Sequence, residues 1–377
     1  MNNNNLFQYA TKELSQDAML CWLINWLNYP DSELHPLGKD VMDLFLGENS
    51  QEKYFNVQVK RQYKKIDVLV LFNDEYALII EDKTNTSEHG EQVARYKEML
   101  QQENLAKTIF TAYIKTGIMY DEDYMMIQKT DTVVTLDEFL PVLLSNSGLS
   151  NSEILKDYIQ YLSGLSDERW NIDRKIKQCD LNEPFSTFYG QYSFMNQVFS
   201  ARSKGIELGR TFKEKDKNPI VYSDLIYAAA NNDGSPWTQY CFWGKAYEKQ
   251  LLKTDKIEYH YLFWRLDRFW DRKEKMWKYY LALRHYDEHT KKTEETKIRK
   301  KDAYLKLREK CDIYQKKYKD VFKEMGTREN YNESDLLYAQ VENLVQEFNN
   351  DFSEIAEFLR SITIDIKAQA NELLKNI

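Results

Sequence analysis

Lys65-Ile66-Asp67-Val68-Leu69-Val70-Leu71-Phe72-Asn73-Asp74-Glu75-Tyr76-Ala77-Leu78-Ile79-Ile80-Glu81-Asp82-Lys83 decides the reading of the whole chain. Two runs rich in Val, Ile and Leu flank Asn73-Asp74-Glu75, which predicts a β-hairpin with a short loop. With residues 73 to 75 as the loop, Phe72 pairs with Tyr76, and counting back sets Asp67 opposite Glu81. Side chains alternate along a strand, so Glu81 and Lys83 share a face and Asp82 points the other way. Paired residues project to the same face. Two carboxylates and one ammonium therefore meet beside an apolar sheet.

Charged residues at strand ends are ordinarily solvated. Here both strands are apolar on both faces, the pattern of a sheet covered by helices on each side. Like charges brought together there repel unless something neutralises them. Hard carboxylate oxygens suit a divalent cation such as Mg²⁺, or Mn²⁺.

Asp67 followed by Glu81-Asp82-Lys83 resembles the D-x(n)-(D/E)-x-K signature of the PD-(D/E)XK nuclease superfamily. Gln92-Val93-Ala94-Arg95-Tyr96 is similar to the Gln-x-x-x-Tyr motif on the next helix in one branch of it. Ile66 stands where the superfamily name has Pro, a position that varies. Glu13-Leu14-Ser15-Gln16-Asp17-Ala18 resembles the opening helix of bacterial members, in which an acid, here Glu13, approaches the metal. A helix-dipole role explains Glu13 equally well. The resemblance covers about the first third of the chain. It implies a restriction-endonuclease-like α-β-β-β-α-β core within an α/β chain. It also implies Mg²⁺ (Mn²⁺ as a substitute) held by Asp67, Glu81 and the backbone carbonyl of Asp82. Lys83 would act beside the metal, and Gln92 and Tyr96 would position Lys83 or the substrate. Phosphodiester hydrolysis of nucleic acid, with DNA the expected substrate, follows from the same resemblance. The alternatives are a non-catalytic nucleic-acid-binding or assembly protein on the same fold, and a scaffold whose C-terminal helices do the work.

The 377 residues suffice for more than one domain at about 150 residues each. Lys+Arg 52 against Asp+Glu 60 gives a net charge of −8, so the chain is no general polyanion coat and must bind nucleic acid through local basic patches. Cys21, Cys179, Cys241 and Cys311 form no CxxC pair, which argues against a zinc site or disulfide framework and fits a cytoplasmic protein. The polar start Met1-Asn2-Asn3-Asn4-Asn5 has no signal-peptide profile, and no apolar run is long enough to span a bilayer.

Outward from the hairpin, the pattern predicts a helix over 11–28, a second short helix near Val41–Leu46, and a strand over 54–60. Arg61, Lys64 and Lys65 form a basic turn ahead of Asp67, read either as solvated or as contacts to a nucleic-acid backbone. Ser87 is a candidate helix cap, 107–114 a strand and 136–144 a helix. A polar linker at 145–152 separates a core domain, 1–148, from an aromatic-rich α+β part, 149–290. There 153–180 reads as helix, 205–212 as strand, 222–230 as a short helix, and 258–266 with 276–286 as paired strands. Arg265 and Arg284 lie among Tyr and Trp residues in that pair. They suit stacking on bases and holding phosphates, or equally an aromatic sheet packed on helices. His260 and His285 read as surface or core residues, not ligands. Residues 291–377 show helical seams: Leu307, Cys311, Tyr314, Tyr318, Val321 and Met325, then Leu337 through Ile366. These predict a long antiparallel helical hairpin, with Gly326 ending the first helix, Ser334 capping the second, and a second copy of the chain able to extend the seam.

Overall fold

The computed structural model describes residues 7, 13–84, 92–120, 123, 127, 130–148, 151–199, 225–246, 259–287, 294–323 and 333–373. The chain is mixed α/β, divided into two compact units, Met1–Glu168 and Arg169–Ile377. Each unit holds one five-stranded sheet among the described residues. The expected strand over 205–212, the Ser87 cap and Gly326 lie outside those residues.

In the first unit α1 (Glu13–Asn25) runs on through a short 3-10 turn, Trp26–Asn28, to the expected end. Next comes α2 (His35–Leu46), which starts six residues before the helix expected from Val41, with Pro36 in its first turn. Then follow β1 (Gln58–Tyr63), β2 (Ile66–Phe72), β3 (Tyr76–Lys83), α3 (Gln92–Gln102) and β4 (Thr108–Lys115). The order helix, three strands, helix, strand is the one read from the sequence. The unit continues with β5 (Thr132–Thr135), α4 (Leu136–Ser145) and α5 (Glu153–Lys177), the last of which carries the division between units.

The sheet order is β1-β2-β3-β4-β5. The pairs β1–β2 and β2–β3 are antiparallel, whereas β3–β4 and β4–β5 are parallel. One face packs Val68, Val70, Leu78, Ile80 and Ile114 against Leu20, Leu23, Val41, Phe45 and Phe139 of the helices. The other packs Ile66, Leu69, Ala77 and Ile79 against Leu100, with Tyr96 and Met99 alongside. Each fully buried aliphatic side chain contributes about 1.5–3 kcal/mol, so apolar residues on both faces keep this hairpin central.

β1 lies four residues later than the strand expected over 54–60. Asn56 has φ 51 and ends extended backbone there, while the hairpin turn falls at Lys64 and Lys65, with φ 51 and 76. Two consecutive left-handed residues are what a two-residue turn needs to match the twist of its strands.

The second unit contains α6 (Asn182–Phe185), α7 (Phe188–Phe199), β6 (Leu225–Ala230), β7 (Pro236–Ala246), β8 (Tyr259–Asp271) and β9 (Met276–Asp287). After these come α8 (Glu294–Lys317), β10 (Glu333–Gln340), α9 (Val341–Glu347) and α10 (Phe352–Leu373). The sheet order is β10-β9-β8-β7-β6, all antiparallel. Phe199 stacks on Tyr240 at 4.2 Å, and Trp264 Nε1 donates to Thr363 Oγ1 at 2.8 Å, so α7 and α10 cover one face. A Cβ on Gly190 would lie 2.1 Å from the Pro184 carbonyl oxygen, so only glycine lets α7 start this close to α6.

Three expectations for this unit are corrected. The short helix over 222–230 is strand β6 where described, because the alanine run pairs with β7 from Leu225↔Cys241 to Ala230↔Pro236. Pairing overrides local helix propensity there. The long helical hairpin over 291–377 is interrupted by β10, which pairs with β9, so this stretch is no separate part but completes the sheet. The four-residue step from Leu337 to Val341 reads as one helical turn, but Leu337 lies in β10 and Val341 opens α9, which hid the strand; Ser334 lies in β10, not at a helix start. α8 and α10 do meet, through Tyr314 Oη donating to Asp365 at 2.6 Å and Tyr318 against Phe358 at 4.7 Å. Ile355, Leu359, Ile362 and Ile366 are buried within the unit, so the seam offered to a second chain is filled from inside. No helix among the described residues is long and apolar enough to cross a membrane.

Candidate active site

The β2–β3 ladder runs from Phe72↔Tyr76 to Val68↔Ile80, the register counted from the sequence, and Asp67 and Glu81 follow directly at its end. Asp67 Oδ2 accepts the Asp82 backbone N–H at 3.0 Å, which fixes the carboxylate at the strand end. Gln62 Nε2 donates to Asp67 Oδ1 at 3.0 Å from the neighbouring strand. Glu81 is 1 % exposed and Lys83 8 %.

The Lys83 ammonium occupies the junction. Its Nζ lies 2.5 Å from Glu81 Oε1, 3.0 Å from the Asp82 carbonyl oxygen and 3.6 Å from Asp67 Oδ2. One cation is thus surrounded by the three oxygens expected to hold a divalent ion. A buried ion pair returns little net stability, but removing one partner leaves a desolvated charge and costs about 3–5 kcal/mol. Lys83 is therefore part of the fold here as well as a candidate for chemistry.

Asp82 turns its carboxylate to the opposite face, as expected, and only its carbonyl faces the site. Gln16 Nε2 donates to Asp82 Oδ1 at 2.6 Å, and Thr116 Oγ1 donates to Gln16 Oε1 at 2.9 Å. Asp17 joins this cluster from α1. Gln62 bridges it to Asp67 by donating to Asp17 Oδ2 at 2.7 Å. Asp17 is 1 % exposed, and burial first, then the Asp67 charge, pushes its carboxyl up to about 6. Gln16, Asp17, Gln62 and Thr116 are additions that the sequence did not single out as site residues. Asp17 stood in the opening-helix stretch, where Glu13 was the acid expected near the metal. Glu13 opens the same helix, and its side chain lies outside the described residues.

α3 brings the remaining motif to the other face. Gln92 Nε2 donates to Tyr96 Oη at 3.4 Å, one turn apart. Burial, and then the charges of Glu81 and Asp67, raise the Tyr96 phenol above its ordinary range, so it remains a neutral donor. Asp67, Glu81, Lys83, Gln92 and Tyr96 thus converge, although they come from three separate elements. Beyond them on β4, Lys115 pairs with Asp123 at 2.7 Å with both side chains fully buried, beside Lys83 in the strand register.

The basic residues divide differently. Arg61 and Lys65 are exposed near the site. Lys64 is exposed too and pairs with Glu103 at 2.5 Å across the surface. In the second unit Arg265 Nη2 sits 2.7 Å from Asp267 Oδ2 and Arg284 Nε 2.6 Å from Asp335 Oδ1. Arg265 also lies 4.2 Å from the Trp237 ring centre. Both guanidinium groups are committed to carboxylates inside an aromatic sheet, which favours the packing reading over phosphate contact. His285 is buried.

Among the described residues no three Asp, Glu, His or Cys side chains form a ready cage for a metal ion. The donor set at Lys83 is two carboxylates and a carbonyl oxygen. Those are hard oxygens, and Mg²⁺ usually takes only one or two carboxylates while keeping several waters. The residues present fit such an ion, with the ammonium standing in its place. No known protein family, curated protein or solved structure matches this chain.

Proposed function

We propose that the first unit is a restriction-endonuclease-like core and that the protein is a Mg²⁺-dependent phosphodiesterase acting on nucleic acid, with DNA the first candidate. The observation that carries this is the gathering of Asp67 Oδ2, Glu81 Oε1 and the Asp82 carbonyl around one buried cation. The order of elements around that point and the Gln92–Tyr96 pair on the next helix support it.

Asp67, Glu81 and the Asp82 carbonyl would hold Mg²⁺ or Mn²⁺. When bound, the ion supplies Lewis-acid polarisation of a phosphoryl oxygen. Lys83 brings a fixed positive charge to the same place, where it offsets the negative charge that develops on the phosphoryl oxygens at the transition state. Hydrogen bonds from Gln62 and the Asp82 N–H keep Asp67 from swinging towards solvent. Tyr96, neutral and oriented by Gln92, donates to a substrate oxygen or steadies the Lys83 side of the site. Gln16 holds the Asp82 carboxylate on the far face, so the peptide keeps its carbonyl aimed at the site.

The Lys83–Glu81 contact favours one competing reading, a nucleic-acid-binding or assembly protein without turnover, in which the lysine permanently fills the cation position. Incubating single- and double-stranded DNA and RNA with the full chain in Mg²⁺, Mn²⁺ and EDTA separates the two. Cutting that needs the metal supports the phosphodiesterase. No cutting under any metal, with oligonucleotide binding retained, supports the competing reading.

A further inference from the structure

β8 and β9 form a long hairpin whose tip does nothing for the sheet core. Trp270 pairs with Trp277 and Asp271 with Met276 at its end. Trp270 is 48 % exposed, Met276 43 % and Trp277 41 %. Tryptophan is highly buried on average, and three adjoining large apolar side chains in water mark an interaction surface more often than a single one does.

The tip is rigid before anything binds. Asp271 Oδ1 accepts the backbone N–H groups of Lys273 at 2.9 Å and Glu274 at 3.1 Å, and Lys275 takes φ 52 to close the turn. The two indoles meet edge to face at 5.3 Å. Arg268 lies 3.8 Å from the Trp277 ring centre and donates to Asp233 at 2.7 Å, so one side of that indole is held in place. Fixed aromatic planes lose little side-chain entropy on binding.

Charge selects the occupant. Arg272, Lys273 and Lys275 are exposed, and among the described residues they form no ion pair, unlike Arg265, Arg268 and Arg284. They make a local positive patch on a chain of net charge −8. A bilayer suits this geometry poorly. Arg272, Lys273, Glu274 and Lys275 sit at the apex, so seating the indoles in hydrocarbon would drive four charged residues deepest. A duplex offers no open base face for an indole to cover. Single-stranded nucleic acid offers unstacked bases and closely spaced phosphates.

We infer that the β8–β9 tip is a docking finger for single-stranded nucleic acid: Trp270 and Trp277 stack on bases, and Arg272, Lys273 and Lys275 meet the flanking phosphates. This rests on the nucleic-acid reading for the class of polymer but not on cleavage. The test therefore uses the full chain in EDTA. Fluorescence anisotropy is measured with a labelled oligothymidylate of about 15 nucleotides, long enough for a typical single-strand site. A duplex of the same length and phosphatidylserine vesicles serve as competitors.

Trp270→Ala/Trp277→Ala should weaken oligothymidylate binding by about tenfold or more. Lys273→Glu/Lys275→Glu, which touches only exposed side chains, should weaken it comparably and flatten its salt dependence. The duplex should compete less well than the single strand. Oligothymidylate affinity unchanged in both variants overturns the proposal, as does capture by vesicles in place of oligonucleotide. Lost binding in these variants supports the finger even if the wild type never cuts. Cutting by a wild type whose tip variants bind normally overturns the finger and leaves the phosphodiesterase standing.

Discussion

The two sheets treat buried charge in opposite ways. Around the end of β2 and β3, Asp67 and Glu81 share the Lys83 ammonium, while the Asp82 carboxylate turns to the other face and Gln62 bridges Asp17 to Asp67. On β8 and β9 each cation has its own carboxylate: Arg265 with Asp267, Arg268 with Asp233, Lys278 with Glu342 and Arg284 with Asp335. An excess of acid in a desolvated place is costly unless a cation arrives, whereas one-to-one pairs are complete as they stand. Shared pairing at one site and one-to-one pairing at the other thus distinguish the two sheets.

Removing Lys83 should break this contrast most severely. Lys83→Ala is expected to reduce metal-dependent cleavage by roughly 100-fold or more and to cost about 3–5 kcal/mol of stability. The stability cost follows from the 1 % exposure of Glu81, whose carboxylate loses its 2.5 Å contact with the ammonium. Denaturant melts of Lys83→Ala beside Glu81→Gln/Lys83→Met separate the effects, because the double variant removes both charges and should recover much of the stability. Cleavage within a few-fold of wild type in Lys83→Ala would remove the lysine from the mechanism.

Mg²⁺ should stabilise the first unit by about 2.7 kcal/mol at about 100 times its dissociation constant, and Glu81→Gln should lose most of that gain. Calorimetric scans in EDTA and Mg²⁺ check this. Equal gains in both proteins would mean that the ion binds elsewhere.

In the balanced sheet, Arg284→Met should cost up to about 3 kcal/mol by breaking the buried pair with Asp335, without changing the salt dependence of oligonucleotide binding. A log–log slope reduced by about 0.7–0.9 would instead make Arg284 a phosphate contact.

Asp17→Asn should act in the opposite sense, raising stability in EDTA by about 1 kcal/mol at pH 8, since it removes a carboxylate that burial and Asp67 both disfavour. A loss of stability in urea melts would show that Asp17 acts mainly through its hydrogen bond with Gln62.

The smallest effect belongs to Asp233, whose bonds from Ser235 and then Arg268 lower its carboxyl to about 2. A lowered carboxyl stabilises the folded state above its unfolded value of 3.8, and that contribution fades as pH falls from 3.8 towards 2. Asp233→Asn should therefore melt slightly below wild type at pH 7, with the difference shrinking in acid. A constant difference down to pH 2 would contradict the assignment.

The hairpin and its charged end were legible because the signal is local. Alternation has period two, the loop is three residues, and a one-residue slip would have thrown every apolar side chain to the wrong face. The Gln92–Tyr96 spacing was legible for a similar reason, one helical turn. Gln16 and Thr116 were not, since each reaches the site from a distant segment, and Gln62, five residues before Asp67, is a neutral amide with no periodic signature. β6 was lost in an alanine run that favours helix in isolation. β10 was lost because the step from Leu337 to Val341 mimics a helical turn, although it crosses from β10 into α9, and only pairing with β9 marks the strand. Arg265 and Arg284 showed in the sequence as basic residues among aromatics, but their carboxylate partners belong to pairings that no short window contains.

The turn at Lys64 and Lys65 has a use in engineering. Both residues hold left-handed backbone without glycine or asparagine, a conformation that costs roughly 1 kcal/mol per ordinary residue. Asn-Gly at these two positions would suit the same turn at lower cost. The exchange gives up the surface pair of Lys64 with Glu103, a weak contact in water, but relieves the turn beside Gln62 without altering any side chain that bonds Asp67. Stability could thus be added to the first unit from outside, as a fixed background for the other substitutions.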